Sequence, residues 1–173
     1  MGKLSSYHEA GHLVLALSER YNQKYNTDKL IHINQYQVKG LSHFPDVDIV
    51  NIPYPKAENE EEYLKLKTEA LKVIGGIVSE VIFCGSHQPT FKDEDYLQLP
   101  TVWKNDLIKF HKIMDKIYLY ENNEYPKQDD VSFKREFLQS QIEYLRNSPK
   151  LQKQIELVKN ELLEKKNSKP RFR

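Results

Sequence analysis

Between Val73 and Phe83 the chain is apolar on nearly every side of a helical wheel, interrupted chiefly by Gly75-Gly76 and one acid, Glu80. A helix that is apolar all round does not rest on a surface, so other elements must surround this one. The helix is expected from about Asn59 to Cys84. Asn59 followed by Glu62 is a capping-box variant. Glu58, Glu60, Glu61 and Glu62 suit the positive end of the helix dipole, and Gly85 is a fitting left-handed stop. Tyr63, Leu66, Ala70, Val73, Ile77 and Val81 fall on its core face. The paired glycines allow another helix to approach closely, and Glu80, an acid in an apolar run, requires a partner.

A first helix is expected from about Leu4 to Tyr21. Ala10, Leu13, Val14, Leu17 and Tyr21 recur on one face, and Gly11 in mid-helix marks a close approach. This helix carries His8-Glu9-Ala10-Gly11-His12. Residues four apart lie one above the other on a helix, so the two imidazoles can bind one Zn²⁺. Glu9 then stands beside the metal, placed to take a proton from the attacking water and pass it to a leaving amine. The same five residues also fit a surface helix with two solvated histidines, so the motif depends on its context.

A catalytic zinc needs three protein ligands and an open position. A local third histidine is absent, because Leu15 and Ser18 occupy the positions where that arrangement would have Gly and His. The candidates are acids on later helices, Glu80 and Asp106. Asp106 lies at the edge of the stripe Trp103, Leu107, Phe110, Met114 and Ile117, on a helix opened by Pro100 and running to about Glu121. His111 is well round that helix from Asp106 and is expected to be solvated. His87 with Asp93, Glu94 and Asp95 lacks a regular ligand spacing.

The rest of the chain supplies mostly helix. Leu30, Ile31, Ile33, Tyr36 and Val38, followed by a short run from Val47 to Ile52, suggest a two-stranded ribbon holding His32, with His43 in the connection. Helices are expected at about Ser132 to Arg146 and, after Ser148 as cap and Pro149 in the first turn, to Lys165. Leu151, Ile155, Val158 and Leu162 stripe the last one, as in an antiparallel hairpin or a docking surface. The expected organisation is one domain, 1–173, with a motif-bearing core over 4–121, a C-terminal helical hairpin over 132–166 and a frayed tail over 167–173.

The 173 residues are 39% hydrophobic and 29% charged, with a net charge of +1. That is a polar globular composition with no electrostatic case for nucleic acid or an acidic membrane as partner. A lone Cys84 excludes a disulfide framework and favours a reducing, cytoplasmic location. No apolar run is long enough to span a bilayer, and because the start runs directly into the motif helix no signal peptide is expected. Met1 to Ser6 fits the loose myristoylation pattern, against which stands the need to place that helix accurately.

Three segments in order resemble the zinc-peptidase domain of FtsH-type ATP-dependent proteases: Tyr7-His8-Glu9-Ala10-Gly11-His12, then Gly75-Gly76-Ile77-Val78-Ser79-Glu80-Val81-Ile82-Phe83-Cys84-Gly85, then Asn105-Asp106-Leu107. The resemblance covers about residues 4 to 118. It implies a mainly α fold, an array of about five to six helices with a small β-ribbon. It also implies Zn²⁺ held by His8, His12 and Asp106, Glu9 as general base, and Glu80 and Asn105 as supporting residues behind the ligands. The ribbon at Leu30 to Val38 would then take an extended polypeptide along its edge. That family's Thr-Thr-Gly-Ala-Ser is replaced here by Leu99-Pro100-Thr101-Val102-Trp103-Lys104. The six glycines cannot form a phosphate-binding Gly-x-x-x-x-Gly-Lys, so no ATP binding is expected in this chain.

The expected function is therefore a stand-alone zinc metallopeptidase acting on unfolded or extended polypeptides, with a separate partner protein or homo-oligomer as further company. The alternative is a catalytically silent zinc-binding interaction module that docks a partner on its last two helices. A zincin of another type, with Glu80 as the third ligand, is the remaining reading.

Overall fold

Among the residues that the computed structural model describes, 2–16, 56–92 and 101–168, five helices follow one another without a strand. They are α1 (Lys3–Ala16), α2 (Glu60–Cys84), α3 (Thr101–Asn122), α4 (Ser132–Arg146) and α5 (Pro149–Ser168). The chain is mainly α. The expected ribbon, with His32 and His43, lies outside the described residues, as do Leu17 and Tyr21 of the first helix and the acids at 93–95.

The all-round apolar helix is the centre of the molecule. α2 packs against α1, α3 and α4, and every residue from Val73 to Glu80 is buried. Its start follows from Asn59, whose Oδ1 accepts from the Glu62 backbone N–H at 2.9 Å. The Glu62 carboxylate reaches back to the backbone N–H of Glu58 at 2.7 Å, one residue beyond the position a standard capping box would use. Three glutamates occupy the first turn, where the dipole favours them. Its end follows from Gly85, at φ 67° and ψ 22°, a left-handed conformation that glycine adopts without a Cβ penalty.

Glycine also sets the distance between α1 and α2. A Cβ on Gly11 would stand 2.3 Å from the Gly75 carbonyl oxygen and 2.4 Å from Ser79 Cβ. A Cβ on Gly75 would stand 2.7 Å from the Gly11 carbonyl oxygen. The two backbones therefore touch at this crossing, which only residues without side chains permit. The segment His8–His12 is thereby pressed against the segment that carries Glu80.

The C-terminal helices belong to the same core. Leu138, Ile142 and Leu145 of α4 and Leu151, Ile155, Val158 and Leu162 of α5 are buried in one cluster with Tyr7, Leu13, Ile74 and Phe110. The α5 stripe, read from sequence as a hairpin or docking face, is consumed internally, because α5 packs against α1. At this contact the Tyr7 hydroxyl donates to Glu156 Oε1 at 2.7 Å, Lys159 pairs with Glu156 Oε2 at 3.1 Å, and Tyr7 stacks on Phe83. The helix also continues to Ser168, past the expected start of fraying at 167. No helix among the described residues is long and apolar enough to cross a membrane.

Candidate metal centre

Two helices bring His8, His12 and Asp106 to one point, and a third supports them. α1 contributes the two histidines from successive turns of one face, and α3 contributes Asp106 from the buried edge of its stripe. His8 Nε2 lies 2.8 Å from Asp106 Oδ2 and 2.9 Å from His12 Nε2, and His12 Nε2 lies 3.2 Å from Asp106 Oδ2. α2 supports the cluster from behind. His8 Nδ1 is 2.7 Å from Glu80 Oε2, and His12 Nδ1 is 2.7 Å from the backbone carbonyl oxygen of Lys72.

Those supporting contacts decide where the ring protons sit. A backbone carbonyl only accepts, so His12 Nδ1 must donate to Lys72. Glu80 Oε2 already accepts the indole N–H of Trp103 and takes a second donor from His8 Nδ1. In their neutral forms both rings then carry a lone pair on Nε2. Two such lone pairs and a carboxylate oxygen converge, three acceptors facing one another. That arrangement is repulsive unless a positive species lies among them, either a proton or a metal ion.

The donor set fits zinc. Two neutral imidazoles and one carboxylate are a normal catalytic ligand group, and each imidazole carries the second hydrogen bond that metal-binding histidines usually make. Ligands about 2.0–2.1 Å from a tetrahedral ion lie about 3.3–3.4 Å apart. The three observed separations, 2.8 to 3.2 Å, need to open only by a few tenths of an ångström.

The cluster is buried on one side and open on the other. The His8 side chain is 4% exposed, whereas that of His12 is 22% exposed. Burial pushes the His8 imidazole down, but its bonds to Asp106 and Glu80 and their charges outweigh this and hold it at about 9. Burial pushes the Asp106 carboxyl up, but bonds from His12 and His8 outweigh this and hold it down at about 2. Both shifts have the sign expected where a positive species is favoured between these groups.

Glu9, the expected base, stands between the two histidines in sequence and is half-buried on α1. Glu80 and Asp106, left open by the sequence as rival ligands, take different places. Asp106 faces both Nε2 atoms, while Glu80 faces the far nitrogen of His8. Asn105, expected behind the ligands, is exposed, and the α3 residue that reaches the cluster from behind is Trp103. His111, expected to be solvated, is half-buried with its ring edge-on to Phe91. His87 is exposed.

One supporting feature leaves no trace in residue type, and a second is legible in the sequence only as a close helix approach. The Lys72 carbonyl is a backbone atom, so residue type says nothing about it. Gly76 seats the His8 ring: a Cβ there would stand 2.5 Å from Nε2, 2.6 Å from Cε1 and 2.7 Å from Cδ2. Gly75 touches the α1 backbone and Gly76 the His8 ring, so the pair divides two tasks between neighbouring residues.

Comparison with protein-family models, with curated proteins and with solved structures gives no match.

Proposed function

We propose that this chain is a zinc-dependent metallopeptidase acting on unfolded or extended polypeptides. The observation that carries the proposal is the convergence of His8 Nε2, His12 Nε2 and Asp106 Oδ2, with both imidazoles held from behind so that their lone pairs share one focus. The partial exposure of His12 supports a working centre over a sealed structural one, because a catalytic zinc keeps a position open.

His8, His12 and Asp106 would hold the ion. The chemistry that zinc supplies when bound is polarisation of a peptide carbonyl and acidification of water. Glu9 supplies the proton transfer: its carboxylate takes a proton from the attacking water and delivers it to the leaving amine nitrogen. Glu80 and the Lys72 carbonyl hold each ring in the tautomer that leaves Nε2 free. The substrate class rests on the resemblance of the three ordered motifs to the FtsH-type peptidase domain.

The test is hydrolysis of a fluorogenic unfolded polypeptide by zinc-loaded wild type and Glu9→Gln. The expected result is unchanged zinc content in the variant and a rate lower by about 10²–10⁴-fold, the usual contribution of a positioned acid–base group. Cleavage by Glu9→Gln at the wild-type rate, or no cleavage by fully loaded wild type, would overturn the reading.

A further inference from the structure

Trp103 is the only tryptophan in the chain. It is buried, 6% exposed, in the first turn of α3, three residues before Asp106. Its indole N–H donates to Glu80 Oε2, the same oxygen that faces His8 Nδ1. One carboxylate oxygen therefore joins three helices: Glu80 from α2, the motif imidazole from α1, and the indole from the turn of α3 that also presents a ligand.

We propose that Trp103 is a positioning residue of the metal centre, acting through Glu80 on the orientation of His8. This rests on the metallopeptidase reading for the identity of the centre but adds a residue that the three motifs do not contain. A glutamate has three rotatable side-chain bonds, and a single bond to an imidazole leaves its carboxylate free to swing about that contact. A second donor on the same oxygen, from a rigid bicyclic ring packed in the core, removes that freedom. Because Trp103 and Asp106 share one helical turn, the indole contact also ties the position of the α3 ligand to that of the α1 ligands. An indole offers one donor and no acceptor, so Glu80 Oε2 is the acceptor in this bond as it is in the bond from His8 Nδ1. Burial makes the pairing obligatory for both partners, since Glu80 is 3% exposed and an unsatisfied indole N–H in the core is unfavourable.

The test uses zinc alone as probe, with affinity read by competition against chelators of graded strength. Trp103→Phe keeps most of the apolar volume and deletes the donor. The expected result is an affinity about tenfold lower than wild type, within the range usual for partners behind a metal ligand. The second measurement is the indole N–H resonance of the full chain, which is a single peak because there is one tryptophan. In Glu80→Ala this resonance should move upfield as the charged acceptor disappears, and zinc addition to wild type should shift it. A purely packing role for Trp103 would move neither signal. An affinity for Trp103→Phe within twofold of a zinc-binding wild type, or an indole resonance indifferent to Glu80→Ala, would overturn the inference while leaving the metallopeptidase reading in place. A wild type that binds no zinc would overturn both.

Discussion

Gly76 lies directly under the imidazole of His8, so close that a Cβ on this residue would stand 2.5 Å from Nε2. The contact makes a small residue on α2 responsible for the aim of a ring on α1. Gly76→Ala should force the ring off its seat. Zinc affinity should fall by about tenfold or more, as for other changes to the groups around a metal ligand. The helical circular-dichroism signal should persist, since alanine is the better helix former by about 1 kcal/mol. Isothermal titration with zinc checks the first expectation and a far-ultraviolet spectrum the second.

Gly11→Ala tests the crossing of α1 and α2. Its Cβ would meet the Gly75 carbonyl oxygen at 2.3 Å, a backbone atom that cannot rotate away. Helix propensity favours the variant by about 1 kcal/mol, but overpacking of this kind costs about 1–3 kcal/mol and sometimes more. The net expectation is a loss of stability, read as a lower midpoint in urea with an unchanged slope.

Tyr7→Phe separates the α1–α5 contact from the candidate metal centre. The hydroxyl bond to Glu156 is lost while the ring can still stack on Phe83. Glu156 retains some exposure, which discounts the charged partner, so the expected cost is about 1 kcal/mol. Zinc stoichiometry should not change, although the substituted residue is the immediate neighbour of His8.

Metal-free protein should lose stability as the solution becomes alkaline. Folding raises the His8 imidazole to about 9 despite its burial, through Asp106 and Glu80. The contribution is fully present below the unfolded value of about 6.5 and disappears as pH rises through about 9. Asp106 works in the opposite direction: burial raises it, the bonds from His12 and His8 outweigh this and lower it to about 2, and its contribution is lost as pH falls from about 3.8 toward that value. Urea midpoints across pH should therefore decline in both regions. With zinc bound, His8 no longer needs its proton, and the alkaline decline over about pH 6.5–9 should flatten.

Much of this architecture can be read from patterning. The apolar run from Val73 to Phe83 marks α2 as central, and the stripes Trp103–Ile117 and Leu151–Leu162 name residues that the structure buries. Gly11 and Gly75 indicate a close helix crossing because no other residue type tolerates one. The fate of the α5 stripe is less legible, since an apolar face looks the same whether α1 or another protein covers it. Behind His8 and His12 legibility ends. The Lys72 carbonyl has no residue signature, and the bond from Trp103 to Glu80 joins residues 23 apart, visible only once α2 and α3 are packed. Asn105, adjacent to Asp106 in the motif, points the other way for a simple reason: neighbours on a helix are about 100° apart, so burying one exposes the other.

The most direct test of the central claim, that donors from α1 and α3 hold one metal ion, is zinc content per chain in purified wild type and in Asp106→Ala. About one equivalent is expected in wild type and clear loss in the variant, with its fold retained, as for a centre of three protein ligands. Wild type that takes up no zinc when supplied with it, or Asp106→Ala that keeps a full equivalent, would contradict the account.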